Sequence, residues 1–270
     1  MKLCFNAGPE PVEEYFPFAH ENGFPWMELS CNNPKNFLNT FTAERINNII
    51  KLRDKYNVRY GLHSASFVNS AEIEPTVRKA VEQHLLSYVK LAHQLEAEYL
   101  VLHFGYHFSL FPDEVFRCLI KTFTPVVELA EKYNLPIGVE NMNKVHEDSE
   151  IVYLGVFIDE FSRAFEALPS KYFGLTLDVA HASLLPQGPE SFIKAFPDKI
   201  VSTHISDNDL YLDRHLPVGE GKIDFRKIFE QLIGIGFKGT LNIELPRSNE
   251  DRVLSKQRVE HILRGLGIKF

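Results

Sequence analysis

At 270 residues the chain has room for a sizeable core, and its 44% hydrophobic and 24% charged residues are those of an ordinary soluble globular protein. A formal net charge of −7 argues against a broad nucleic-acid footprint, which needs clustered Lys and Arg. Three scattered cysteines (Cys4, Cys31 and Cys118) without a C-x-x-C pair argue against a disulfide framework. The start, MKLCFNAGPEP, shows no signal-peptide pattern, and no apolar run approaches the ~20 residues of a membrane span. A soluble cytoplasmic protein is expected.

Taken in order, the chain alternates short apolar runs with longer helical patterns. The runs are KLCFNA at 2–7, WMELSC at 26–31, YGLHSA at 60–65 and YLVLHFG at 99–105. PIGVENM at 136–142, FGLTLDVAH at 173–181, IVSTHIS at 200–206 and GTLNIELP at 239–246 follow. Most are rich in Val, Ile, Leu and aromatics without clean polar alternation, as expected for strands of a parallel sheet covered on both faces. Between them lie amphipathic stretches such as 43–56, 74–96 and 113–133, with apolar residues at three- and four-residue spacing. Pro75, Pro112 and Pro189 sit where helices should start, a position at which a missing N–H costs little.

Eight such units in about 250 residues make a closed (β/α)₈ TIM barrel, in a single domain over 1–270. The rival, an open doubly wound sheet, should carry a Gly-rich phosphate loop after its first strand, and NAGPEPVEEYF is a poor version of one.

In such a barrel, polar residues at the C-terminal ends of strands face the active site. Here the third run ends with His63, the fourth with His103, the fifth with Glu140 and the sixth with Asp178 followed by His181. The seventh ends with His204, the eighth with Glu244, and Asp213 and His215 lie in the loop between them. Five of the chain's eleven histidines fall in this set. A single histidine near a strand end is more often structural than a ligand. Three carboxylates inside apolar strands are harder to explain that way, since each would be costly to bury unpaired and they would repel one another without cations between them. The donors are all oxygen or nitrogen, which suits Zn²⁺ or Mn²⁺, with Mg²⁺ also admitted.

The segments GLHSA, VLHFG, VENM, LDVAH, THISDN, DRHLPVGEGKIDF and NIELP, in that order, resemble the xylose isomerase-like barrel superfamily. That group includes sugar-phosphate isomerases and epimerases and the endonuclease IV-type apurinic-site nucleases. The likeness runs from about residue 60 to 246. Its nuclease branch implies nine ligands to three zinc ions, matching His63, His103, Glu140, Asp178, His181, His204, Asp213, His215 and Glu244. Its isomerase branch implies one ion, on Glu140, Asp178, His204 and Glu244. One to three ions are therefore expected. The nuclease branch reads H-x-S-Y-L-I-N after the third strand and wedges its Tyr-Leu pair into DNA. This chain reads His63-Ser-Ala-Ser-Phe-Val-Asn69 instead, and has Asp178-Val-Ala-His181 where that branch has D-T-C-H.

Two reactions follow. In the favoured one, Glu140 and Glu244 act as paired acid and base on a small carbohydrate, free or phosphorylated, isomerising or epimerising it. In the alternative, two or three Zn²⁺ ions hydrolyse a phosphodiester, with nucleic acid the less favoured partner. A metal-bound, non-catalytic binding protein is the third reading. Further substrate contacts are expected from Glu28, from Trp26, Phe67, Phe104 and Phe108 as an apolar wall, and from Arg214, with Arg247 a weaker phosphate candidate. Glu220 is expected to hold His215 from behind. His84 and His93 are read as surface residues of a helix facing away from the site.

Overall fold

The structure is a computed structural model that describes residues 1–108, 111–144, 149–246 and 248–268. Eight strands form the barrel: β1 (Lys2–Phe5), β2 (Trp26–Ser30), β3 (Arg59–His63), β4 (Leu100–Leu102), β5 (Ile137–Glu140), β6 (Phe173–Asp178), β7 (Ile200–Ile205) and β8 (Thr240–Ile243). All paired neighbours are parallel, in the order β1-β8-β7-β6-β5-β4-β3-β2. The ring closes between β1 and β2 through one parallel bridge, Asn6 with Glu28, and the Ala7 N–H donates to the Glu28 carbonyl at 2.8 Å. A TIM barrel is therefore formed, as the spacing of the runs predicts.

Helices wrap the outside: α1 (Tyr15–Glu21), α2 (Ala43–Tyr56), α3 (Pro75–Gln94), α4 (Pro112–Tyr133), α5 (Ile158–Ala167), α6 (Val179–Ser183), α7 (Gly188–Ala195), α8 (Phe225–Gly234) and α9 (Asn249–Gly265). Pro75 and Pro112 open α3 and α4, and Pro189 lies in the first turn of α7. The Thr42 and Ser248 hydroxyls and the Glu74 carboxylate cap the first turns of α2, α9 and α3. Among the described residues no helix is long and apolar enough to cross a membrane.

The strands do alternate, although their sequences show no clean polar alternation. In β6 the outward residues Phe173, Leu175 and Leu177 join the core under the helices, while Gly174, Thr176 and Asp178 point inward. In β8, Leu241 and Ile243 face out, and Thr240 and Asn242 reach inward hydrogen-bond partners. Tyr99, just before β4, fills the lower barrel over Gly61, where any Cβ would run into its ring. Most of the barrel's axis is thus lined by small and polar groups, and only its base is apolar, around Cys4, Trp26, Tyr99 and Val101.

β4 is shorter than its apolar run because the chain turns away after His103. Gly105 takes φ +96, and a Cβ there would press on the Ser70 backbone nitrogen at 2.7 Å. Its carbonyl accepts from Leu154 N–H, and Tyr106–His107 pairs antiparallel with Val152–Tyr153 beside it, tying the fourth and fifth loops together at the mouth.

Candidate metal centre

Glu140, the last residue of β5, is the hub. Its Oε2 lies 2.7 Å from His103 Nε2 and 3.2 Å from His63 Nε2. Its Oε1 lies 3.2 Å from His204 Nδ1 and 3.6 Å from His181 Nδ1. Across from it, Glu244 Oε2 is 3.0 Å from the same His204 Nδ1. On the far side of His181, Asp213 Oδ2 sits 3.2 Å from both His181 Nε2 and His215 Nε2. All nine strand-end and loop donors therefore converge on the mouth.

They form three groups whose ligating atoms lie within 4.8 Å of one another: Glu140, Asp178, His204 and Glu244; His63, His103 and Glu140; and His181, Asp213 and His215; a fourth joins His63 and His204 to Glu28. Buried atoms without hydrogen-bond partners test whether such groups fit cations. Asp178 Oδ2, His204 Nδ1, Asp213 Oδ1 and Glu244 Oε2 are all orphaned in this way. His204 Nδ1 is within 3.2 Å of two carboxylates yet makes no well-formed hydrogen bond to either. An unpaired buried polar atom costs roughly 1–3 kcal/mol. Three of the four, on Asp178, His204 and Glu244, belong to one group with Glu140, and that group fits a divalent cation.

The charges respond to this crowding. Burial would raise Glu140, but His204 and His103 beside it hold its carboxyl well below the usual range. Burial pushes Asp178 up to about 7, against the charge of His181 and with the repulsion of Glu140 and Glu244. Glu244, opposed by burial but faced by His204, falls to about 2. His63 and His215 rise to about 9 although burial opposes it, each through a neighbouring carboxylate. A cation entering here competes with protons for these histidine nitrogens.

Local structure holds the donors. Asn141 donates Nδ2–H to the Asp178 carbonyl at 3.0 Å and accepts from Asp178 N–H at 2.7 Å, while its own carbonyl lies 2.9 Å from His181 Nδ1. Asp178 caps α6 by accepting from His181 N–H at 2.6 Å. A cavity of about 410 Å³ adjoins Glu244 and His215, lined also by Asn6, Ser30, Asn32 and Asn33. Sequence reasoning missed Asn141 and these asparagines; their proximity in the chain to Glu140 and to the ends of β1 and β2 was the available signal.

Several of the other expected contacts lie elsewhere. Trp26 opens β2, at the opposite end of the barrel, with Lys2 over its ring. Phe104 packs in the outer core against Phe123 and Phe161. Glu28 is fully buried along the barrel axis and takes hydrogen bonds from Tyr99, Asn242 and His204, so it is out of reach of a substrate. Arg214 is paired with Asp209 at 2.5 Å on the exposed side of its loop. Glu220 meets Arg258 of α9 at 3.3 Å rather than His215, whose Nδ1 instead faces Ser206 Oγ and the Glu244 carbonyl. Phe67 stands exposed at the rim against Phe37, and Phe108 is also exposed there. His84 and His93 lie on α3 against Tyr88 and Tyr133. Arg247 is outside the described residues.

Barrel and donor cluster together define a (β/α)₈ protein whose mouth can hold divalent cations. Residues 16–265 match the model of the xylose isomerase-like TIM barrel family, and the chain belongs to that family. An uncharacterized protein of Methanocaldococcus jannaschii is 29% identical over 262 residues, covering 94% of this chain and 86% of that one. Fructoselysine 3-epimerase of Shigella flexneri is 23% identical over 260 residues, covering 93% and 91%. The crystal structure of a D-tagatose 3-epimerase-like protein superposes with a TM-score of 0.88 at 28% identity, covering 99% and 98%.

Proposed function

We propose that the protein is a divalent-metal-dependent isomerase or epimerase of a small carbohydrate, with Glu140 and Glu244 as its acid–base pair. The observation that carries this reading is the approach of these two carboxylates to one orphaned nitrogen, His204 Nδ1, at 3.2 and 3.0 Å. Glu140, Asp178, His204 and Glu244 would hold the cation, which would polarise a carbonyl and its neighbouring hydroxyl and so acidify the C–H between them. One glutamate then takes that proton and the other returns one to the opposite face of the same carbon (epimerisation) or to the adjacent carbon (isomerisation).

The cavity beside Glu244 supports a polyhydroxylated substrate. Asn6 Oδ1 accepts from Leu245 N–H, Asn32 Oδ1 from Ser66, and Asn33 Oδ1 from Lys35 N–H. These bonds fix the oxygen of each amide and leave each NH₂ available as a donor to hydroxyl oxygens. The likeness to a fructoselysine 3-epimerase and to a D-tagatose 3-epimerase-like protein favours a ketose.

A second reading, phosphodiester hydrolysis, draws on the two further donor groups, His63–His103–Glu140 and His181–Asp213–His215, which make room for three cations. Incubation with a ketose panel in D₂O, with and without chelator, separates the two. Cation-dependent deuterium incorporation at the carbon next to the carbonyl is expected, with Glu140→Gln and Glu244→Gln each lowering it by about 10²–10⁴-fold. Cleavage of an abasic duplex without any ketose exchange would overturn the epimerase reading.

A further inference from the structure

We infer that Glu28 is a positioning residue that fixes His204 in the tautomer with the proton on Nε2, leaving Nδ1 bare to take the metal. The inference rests on the metal reading above and adds a residue from the second strand to it.

Glu28 sits in the middle of β2, fully buried, one layer beneath the mouth. A carboxylate in such a place needs several donors. Tyr99 O–H donates to its Oε2 at 2.9 Å, and Asn242 Nδ2–H donates to Oε1 at 2.9 Å. Thr240 Oγ1–H donates to the Tyr99 oxygen at 3.2 Å, so the phenol's single proton is directed onto Glu28 and nowhere else. The third neighbour is His204 Nε2, 3.0 Å from Oε1 and 3.3 Å from Oε2. A carboxylate that already accepts two hydrogen bonds has only lone pairs to offer, so the imidazole edge facing it must be an N–H.

The opposite edge of the ring, Nδ1, is the orphaned atom between Glu140 and Glu244. Nδ1 faces two carboxylates of its own, at 3.2 and 3.0 Å, so a cation bound there takes the place of a proton while Glu28 retains the one on Nε2. Hydrogen bonding of a ligating histidine's second nitrogen to a carboxylate fixes its orientation and raises its basicity. Of the two mouth histidines grouped with Glu28, His63 and His204, it is His204 whose Nε2 comes within hydrogen-bond distance of its carboxylate. Its ring is further held by stacking on His63, 5.6 Å between centroids.

Glu28→Gln is the discriminating change. Tyr99, Asn242 and His204 all donate toward position 28, and an amide offers one oxygen and one NH₂. The NH₂ must face one of these donors. Facing Nε2, it would push the proton to Nδ1, where the cation should sit. The Glu28→Gln protein is expected to keep its fold by circular dichroism and to bind Zn²⁺ about 10–100-fold more weakly, measured by competition with a chromogenic chelator. Loss of packing alone would lower thermal stability without changing zinc affinity at a temperature where the variant is fully folded.

Long-range ¹H–¹⁵N spectra of the zinc-loaded wild-type protein, histidine-labelled, supply a readout that needs no variant. The His204 Nε2 is expected to carry the proton and Nδ1 to show the shift of a metal-bound nitrogen. A proton on Nδ1, or zinc on Nε2, overturns the assignment. Zinc affinity of Glu28→Gln within twofold of wild type overturns it too, and leaves the metal centre standing. Failure of the wild-type protein to bind zinc, manganese or magnesium overturns the metal reading and this inference with it.

Discussion

At Gly61 the barrel interior leaves no room for a methyl group. A Cβ would lie well inside 3 Å of three ring atoms of Tyr99, and that ring is fixed by its hydroxyl, which donates to Glu28 and accepts from Thr240. Gly61→Ala should therefore cost about 1–3 kcal/mol through overpacking. The loss reads out as a lower denaturant midpoint, and an unchanged midpoint would mean the Tyr99 ring gives way freely. The same column of side chains explains which residues could be read from the chain. Glu140, Asp178 and Glu244 stood out because each is a charge at the end of an apolar run. Glu28 is just as conspicuous a charge, yet it is the third residue of β2 and sits a layer deeper, where it meets His204 instead of solvent. Trp26 is the first residue of that strand and so lies at the barrel's other end. Position along a strand sets depth in the barrel. The partner of Glu220, Arg258 of α9, is 38 positions away in the chain and left no local trace.

The loop from Ser206 to Asp224 carries Asp213 and His215, and Asp207 organises it. Its Oδ1 accepts from Asn208 and Ile223 N–H at 2.9 and 3.1 Å, and its Oδ2 accepts from Gly219 N–H at 2.9 Å. Two backbone bonds, 2.7 and 2.8 Å, join Asp207 to Leu216. Gly221 admits no side chain, because a Cβ would strike Asn208 and Asp207. Asp207→Ala would strip the acceptor from three amides, at roughly 1–3 kcal/mol for each one left buried and unpaired. Hydrogen exchange at Gly219 and Ile223 should then accelerate, and zinc held by His181, Asp213 and His215 should be lost before zinc on the Glu140–Glu244 group. Retained protection at both amides would mean that other contacts hold the loop. At this scale the helices were the legible part: 43–56 and 113–133 match α2 and α4 to within a residue. The inward–outward alternation was hidden because the strands run only three to six residues and their inner positions are often glycine, threonine or serine.

Viewed as one molecule, the barrel gathers much of its buried charge at the mouth. Glu140, Asp178, Asp213 and Glu244 meet five histidines there, on a chain whose formal charge is already −7. Cations that bind this arrangement bind the folded chain alone, because the nine donors come from six of the eight strands' ends and the loops that follow them. A ligand with that preference stabilises the fold by about 2.7 kcal/mol when present at 100 times its dissociation constant. For a chain approaching this size each kcal/mol shifts the melting temperature by about 2–4 °C. One tightly held ion therefore corresponds to roughly 5–10 °C, and three to a larger shift. Chelator should lower the midpoint of a thermal scan by at least that amount, and added Zn²⁺ or Mn²⁺ should restore it. Titrating the metal back also bears on the chemistry. A midpoint that recovers fully at one equivalent fits the Glu140–Asp178–His204–Glu244 group alone, as the epimerase reading requires. A midpoint that keeps rising to three equivalents fills the outer groups as well and favours phosphodiester hydrolysis. A scan that chelator leaves unmoved, on protein shown to carry metal beforehand, would remove the cation from the fold's stability and leave the barrel supported by its apolar shell.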